Sequence, residues 1–280
     1  MKVELKTWGA LGLATALAGA GLAGCSDEME RSEPGSVPAT SADQAGGEGG
    51  EGGEGGEAGE GGETGEGGVA IEDAASDPVV YRSALAVAQA HAIAARDAFE
   101  AGRADAAAEM FAHPVSEVLA DMDPVFAERG VDDLKPLFIA ASTSVIEGES
   151  EDRIAQRFEA IMTALDDAAQ KAPDNGASEA TVVAGVAANM VDRAVRMYRE
   201  ASSSDRYEPY LDGYGFYRTA NELFDRASVG LESENADLHE AMEKALALLE
   251  RAYPGAERPA NLDVNQAELF SAASQVMLRQ

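Results

Sequence analysis

The sequence predicts an all-α protein: a multi-helix antiparallel bundle of about eight or nine helices, preceded by a disordered Gly/Glu-rich linker. Three observations lead there. From about Asp77 onward the composition is dominated by Ala, Glu, Asp, Leu and Arg, a mixture of high overall helix propensity. Apolar residues recur at helical spacing, as in Ile154, Phe158, Ile161 and Leu165. Alternating apolar runs between turn clusters, the mark of strands, are missing.

Each helix follows from its punctuation. Pro78 to Ala101 carries Tyr81, Leu85, Ala88, Ala92 and Phe99 near one stripe and stops at Gly102. Ala104 to Ala112 reads as a short helix ending before Pro114, and Pro114 as the first residue of the next, which runs towards Gly130 with a bend at Pro124. Asp132 or Asp133 opens a helix with Leu134, Leu137 and Phe138 that ends near Gly148. Glu149-Ser150-Glu151 precedes a long amphipathic helix through Lys171. After the loop Pro173–Gly176, Ser178 caps a helix to about Ala201. Pro209 to Val229, Glu234 to Ala252, and Val264 to the C-terminus complete the set. The short connections favour antiparallel neighbours. Phe99, Gly102 and Ala106–Ala108 fall where a tetratricopeptide unit would place them, but no fixed period follows.

The chain divides into residues 1–24, 25–75 and 76–280. Lys2 and Lys6 precede an uncharged stretch from Trp8 to Gly24, the pattern of a secretory signal. It is Ala/Gly-rich and short for a bilayer span, which takes about 20 strongly apolar residues. It ends in Leu22-Ala23-Gly24-Cys25, which resembles the lipobox of bacterial lipoproteins. That resemblance implies cleavage before Cys25, acyl chains such as palmitate on its thiol, and membrane anchoring; two or more chains hold firmly where one does not. The alternative is an uncleaved anchor helix that happens to end in cysteine. Cys25 is the only cysteine, so no intramolecular disulfide can form. Ser26, where aspartate would favour the inner membrane in enteric-type lipoproteins, points to the periplasmic face of the outer membrane.

Residues 25–75 form the expected tether. Glu48 to Gly68 repeats Gly-Gly-Glu units, combining maximal backbone entropy with like-charge repulsion. A coil of this length spans on the order of 40 Å. A spacer is the simpler reading, since exposed carboxylates have no preformed cage for a metal. The net charge is −30, and residues 1–75 hold fifteen acidic and three basic side chains, leaving 36 acidic against 18 basic in the domain. This acidity argues against nucleic acid or an anionic membrane surface as partner and admits cationic ligands.

The domain's chemistry rests on few residues. Of three histidines, His239 sits among Asp237 and Glu240 and reads as exposed. His91 and His113 lie on the first two helices, where a helical hairpin brings them together. Glu117 is four residues after His113, on the same helical face. Imidazole nitrogen and carboxylate oxygen make His91, His113 and Glu117 candidate metal ligands. Equally, His113 could cap a helix and His91 donate a hydrogen bond inside the bundle. The second feature is Tyr207-Glu208-Pro209-Tyr210-Leu211-Asp212-Gly213-Tyr214-Gly215-Phe216-Tyr217, which holds four of the seven tyrosines. Its two glycines cost helix stability and imply close packing or a bent backbone. Tyr210, Asp212 and Tyr214 are candidate ligand-binding residues of a polar pocket; the alternative is an aromatic plug in a helix seam. A metal ion is the one candidate cofactor.

The exported helical domain, the His-x-x-x-Glu pair and the tyrosine-glycine stretch together resemble, over about His91 to Phe216, the imelysin-like proteins, helical envelope proteins associated with iron acquisition. The family's Gly-x-His-x-x-Glu motif is not reproduced: His113-Pro114-Val115-Ser116-Glu117 has one residue more, so the resemblance transfers no ligand assignment. No Gly-x-Ser-x-Gly elbow, phosphate loop or cysteine nucleophile supports an enzyme. The expectation is a lipid-anchored binding or accessory protein of the cell envelope, linked to metal uptake. The rival is a structural or protein-interaction module that docks another envelope protein and carries no ligand chemistry.

Overall fold

The computed structural model describes residues 71–280. The expected signal peptide, Cys25 and all but the end of the expected tether lie outside the described residues. The elements are α1 (Ile71–Ala74), α2 (Pro78–Glu100), α3 (Ala104–Pro114), a π-helical turn (Val115–Leu119), α4 (Ala120–Arg129), α5 (Lys135–Ile146), α6 (Glu151–Ala169), α7 (Glu179–Ser203), α8 (Glu208–Glu234), α9 (Ala236–Ala252) and α10 (Gln266–Met277). Because α3, the π turn and α4 run on without a break, nine helical rods make up the bundle, and there is no strand among the described residues. None of the described helices is long and apolar enough to cross a membrane. α1 falls at the end of the stretch expected as tether, and Ala74 is buried in the core.

Local chemistry sets the ends of these rods. The Asp77 carboxylate accepts from the backbone N–H groups of Val79 and Val80 at the start of α2, with Pro78 at the first position. Ser150 and Ser178 cap α6 and α7 in the same way, each contributing about 1 kcal/mol. Gly102 (φ 77°) and Gly130 (φ 64°) stop α2 and α4 in the left-handed conformation that glycine adopts without penalty. α5 starts at Lys135, whose N–H the Asp133 carboxylate accepts.

The expected helix boundary at Pro114 is absent. Pro114 lacks the N–H that would bond back one turn, yet the rod continues and widens into the π turn just beyond it. Burial compensates for the lost bond: Phe111, Pro114, Val118 and Leu119 all face the core.

α2 is the central helix, packed against α3, α6, α7 and α8. Its faces are small and apolar, with Ala84, Ala88, Ala92, Ala94, Ala95 and Ala98 fully buried. α7 and α8, joined through residues 204–207, form the most extensive pair. Two glycines of α8 permit its close approach to the neighbours. A Cβ on Gly215 would sit 2.3 Å from the Ala90 carbonyl oxygen of α2, and one on Gly213 would sit 1.9 Å from the Tyr253 hydroxyl and 2.9 Å from Met197 Cβ of α7.

Candidate metal site

The hairpin of α2 and the α3–α4 rod does bring the two histidines together: their rings meet edge to face with centroids 5.7 Å apart. Phe216 of α8 closes the other side of His91, also edge to face at 5.7 Å. The His91 side chain is only 4% exposed. Its Nδ1–H donates to the Val87 carbonyl at 2.8 Å. A carbonyl only accepts, so this bond fixes the tautomer and points Nε2 into the site.

Nε2 faces two carboxylates. Glu117 Oε2, from the π turn, is 3.3 Å away, and Asp212 Oδ1, from α8, is 3.6 Å away. The other oxygen of Glu117 lies 3.5 Å from His113 Nδ1, so this carboxylate bridges the two imidazoles. One ligand atom each from His91, His113 and Glu117 lies within 4.8 Å of the others. His113 also belongs to a second grouping with Glu109 and Glu208. Residues from three separate parts of the sequence (91, 113 with 117, and 212) thus share one place.

The electrostatics there are strained. Burial disfavours the charged form of His91, but the hydrogen bond with Glu117 and the charges of Asp212 and Glu117 outweigh it and raise its pKa. Glu117 is held below the usual carboxylate range: burial pushes it up, and the bond to His91 with the charges of His91, His113 and Arg193 pulls it further down. Asp212 goes the other way, pushed up to about 6 by burial against the opposing pull of His91 and His113. Asp212 Oδ1 and His113 Nδ1 are both sealed from solvent without a hydrogen-bond partner. Buried polar atoms without partners are costly, and two converging on one imidazole–carboxylate cluster fit a cation ligand better than a packed core. Two imidazoles and a carboxylate with open positions are the donor set of first-row transition metals, iron and zinc among them.

The cluster opens into a cleft of about 340 Å³ lined by Arg193 and Met197 of α7, Arg206, and Glu208, Asp212 and Phe216 of α8. Arg193 lies over the Phe216 ring, 5.8 Å from its centroid, and burial lowers its pKa to about 10. The sequence pattern marks no role for Arg193, and none for Phe216 beyond its place in the tyrosine-glycine stretch. Their roles arise through the packing of α7 and α8 around His91.

The tyrosines go elsewhere. Tyr210 donates to the Gly255 carbonyl at 2.7 Å, Tyr207 to the Ala256 carbonyl at 2.8 Å, and Tyr217 stacks on Tyr253. Tyr214 donates to Asp97 at 2.6 Å and accepts from Arg218 at 2.7 Å, on another side of α8. Of the three candidates in that stretch, then, only Asp212 reaches the histidines. His239 is not exposed: its ring packs on Phe224 and its Nε2 meets the Ser228 hydroxyl at 2.8 Å.

Comparison with protein-family models, with curated proteins and with solved structures finds no match for this chain.

Proposed function

We propose that this chain is a lipid-anchored binding protein of the cell envelope whose helical domain captures a first-row transition-metal ion at His91, His113 and Glu117, with Asp212 as a further ligand. The observation that carries the reading is the meeting of ligand atoms of His91, His113 and Glu117 within 4.8 Å of one another, with Asp212 beside His91 and with Asp212 Oδ1 and His113 Nδ1 buried without a hydrogen bond. Structural histidines in a bundle interior end with their polar atoms satisfied; His91 does, but His113 Nδ1 has no hydrogen-bond partner. The Val87 carbonyl orients His91 as an outer-shell partner orients a metal-ligating imidazole. Resemblance to the imelysin-like proteins points to iron, and the lipobox at Cys25 would hold the domain at the outer membrane on its acidic tether.

Melting of the full chain with and without Fe²⁺ (anaerobic) or Zn²⁺ tests the site. Ion at 100 times its Kd stabilises by about 2.7 kcal/mol, which raises Tm by about 5–10 °C in a domain of this size. His91→Ala abolishes the shift, whereas Tyr214→Phe leaves it intact. No shift with either ion sinks the metal reading. Retention of Cys25→Ala in the membrane fraction would sink the anchoring.

A further inference from the structure

The imidazoles and carboxylates of the site continue outward to the surface. Glu109, His113 and Glu117 follow one another at four-residue intervals along the α3–α4 rod, and Glu208 and Asp212 do so on α8. His113 belongs to two ligand sets, one with His91 and Glu117 and one with Glu109 and Glu208; in each, one ligand atom per residue lies within 4.8 Å of the others. Exposure falls along this path, from 59% at Glu109 and 38% at Glu208 to 16% at His113 and 4% at His91.

The two nitrogens of His113 divide between the sets. Nδ1 is 3.5 Å from Glu117, and Nε2 is 3.8 Å from Glu109. Nδ1 is buried without a hydrogen-bond partner, and Nε2 is beyond hydrogen-bond reach of Glu109. A neutral imidazole carries a proton on one nitrogen and a lone pair on the other, so it ligates on one side at a time. At the outer set, Arg206 holds Glu208 at 2.6 Å and has Glu200 3.8 Å away as a second partner. An ion arriving at Glu208 therefore displaces the guanidinium towards Glu200, and parting so exposed a pair costs little.

We propose that Glu109, His113 and Glu208 form an outer metal site, where the ion is first held before it passes to His91, His113 and Glu117. This rests on the metal reading above and adds the route to that site. His113 is the pivot. The ion binds first to Nε2 and the two outer carboxylates, while Nδ1 keeps its proton towards Glu117. It then moves to Nδ1; the Nδ1 proton goes to water and Nε2 takes one from water, so the ring ends as neutral as it began. Loss of the outer site on a single route slows entry and exit alike and leaves the inner affinity in place. Loss of long-range attraction slows entry alone, and loss of an inner ligand speeds exit.

The test is Co²⁺ loading of the full chain, followed by visible absorption in a stopped-flow instrument, and Co²⁺ release into excess EDTA. Glu109→Gln and Glu208→Gln each slow loading and release together by about fivefold or more, with the Kd changed less than about twofold. Asp105→Asn removes the same charge from an exposed position one turn before Glu109 and leaves both rates within about twofold. The melting temperatures of the metal-free variants check that all three fold. Parent rates in either Glu variant, slower loading with unchanged release, faster release, or an equal slowing in Asp105→Asn each overturns this inference and leaves the metal reading standing. Failure of Co²⁺ to bind the parent chain overturns both.

Discussion

Gly215→Ala is the sharpest test of how the site is assembled. Alanine in place of a helical glycine ordinarily stabilises by about 1 kcal/mol. Here the added Cβ would lie 2.3 Å from the Ala90 carbonyl oxygen, 3.0 Å from its carbon and 3.1 Å from Ala94 Cβ. Carbon–oxygen contacts even of the weak hydrogen-bonding kind stay at about 3.3–3.6 Å. The α2 and α8 backbones must therefore separate by about 1 Å, because the obstacle is main chain and not the end of a flexible side chain. Overpacking a core costs about 1–3 kcal/mol, and a backbone obstacle belongs at the upper end. Against the propensity gain the net loss is about 2 kcal/mol, or a fall in Tm of about 4–8 °C. Ala90 immediately precedes His91, while Asp212 and Phe216 flank the two glycines, so on the proposed metal reading Zn²⁺ affinity should fall as well. Gly255→Ala is the control: no atom lies within 4 Å of its added Cβ, and Tm should hardly move. Thermal melts of the three chains decide the matter. A Gly215→Ala variant as stable as the parent, or more so, refutes the close-approach argument.

Tyr253→Phe removes the hydroxyl that donates to the Ala194 carbonyl at 2.7 Å and costs about 1 kcal/mol. That same oxygen is the nearest obstacle to a Cβ on Gly213, so Gly213→Ala should cost less in the Tyr253→Phe background than alone. Additive losses in a double-mutant cycle would deny the contact. The metal-free domain should lose stability as pH rises from about 5 to 8. Asp212, raised from 3.8 to about 6, holds its proton better folded than unfolded; its contribution, about 3 kcal/mol in full, is complete below about pH 4 and declines as pH rises through about 6, so only its remaining part is lost above pH 5. His91, also raised, contributes fully below about 6.5 and less as pH climbs through its folded value. Glu117 is lowered; its contribution is in place above the ordinary carboxylate value of 4.5 and is lost only in acid. Asp212→Asn should therefore flatten the fall of Tm between pH 5 and 7, as calorimetry across that range would show; an unchanged slope counts against a buried, protonated Asp212.

Much of the bundle was written in local signals. Asp77, Ser150 and Ser178 cap as their types predict, and Gly102, Gly130 and Gly148 stop helices with φ of 77°, 64° and 68°. Pro114 misled because its cost is local while its compensation is not. One missing hydrogen bond is outweighed by Phe111, Val118 and Leu119 in the core, and no window around residue 114 contains that information. The His113–Glu117 pair was legible as one face of a helix, although the structure realises it across the start of a π turn. The tyrosine stretch was legible as unusual but not in meaning. Its hydroxyls pair with the carbonyls of Gly255 and Ala256 and with Asp97, partners far along the chain.

The two oddities of that stretch have one cause. Gly213 and Gly215 let α8 lie against α7 and α2 without Cβ atoms between the backbones. Asp212 and Phe216, four residues apart, share a face of the helix, and the close approach presses that face onto His91. From the opposite side the π turn delivers Glu117 to the same imidazole. Glycines inside a helix and a widened turn each cost stability relative to a regular α-helix. Neither is needed to bury apolar surface, which alanine-rich helices of ordinary geometry would do as well. Both costs fall on the residues that place carboxylates against one buried histidine, which argues that the fold here is shaped by the site rather than the site by the fold.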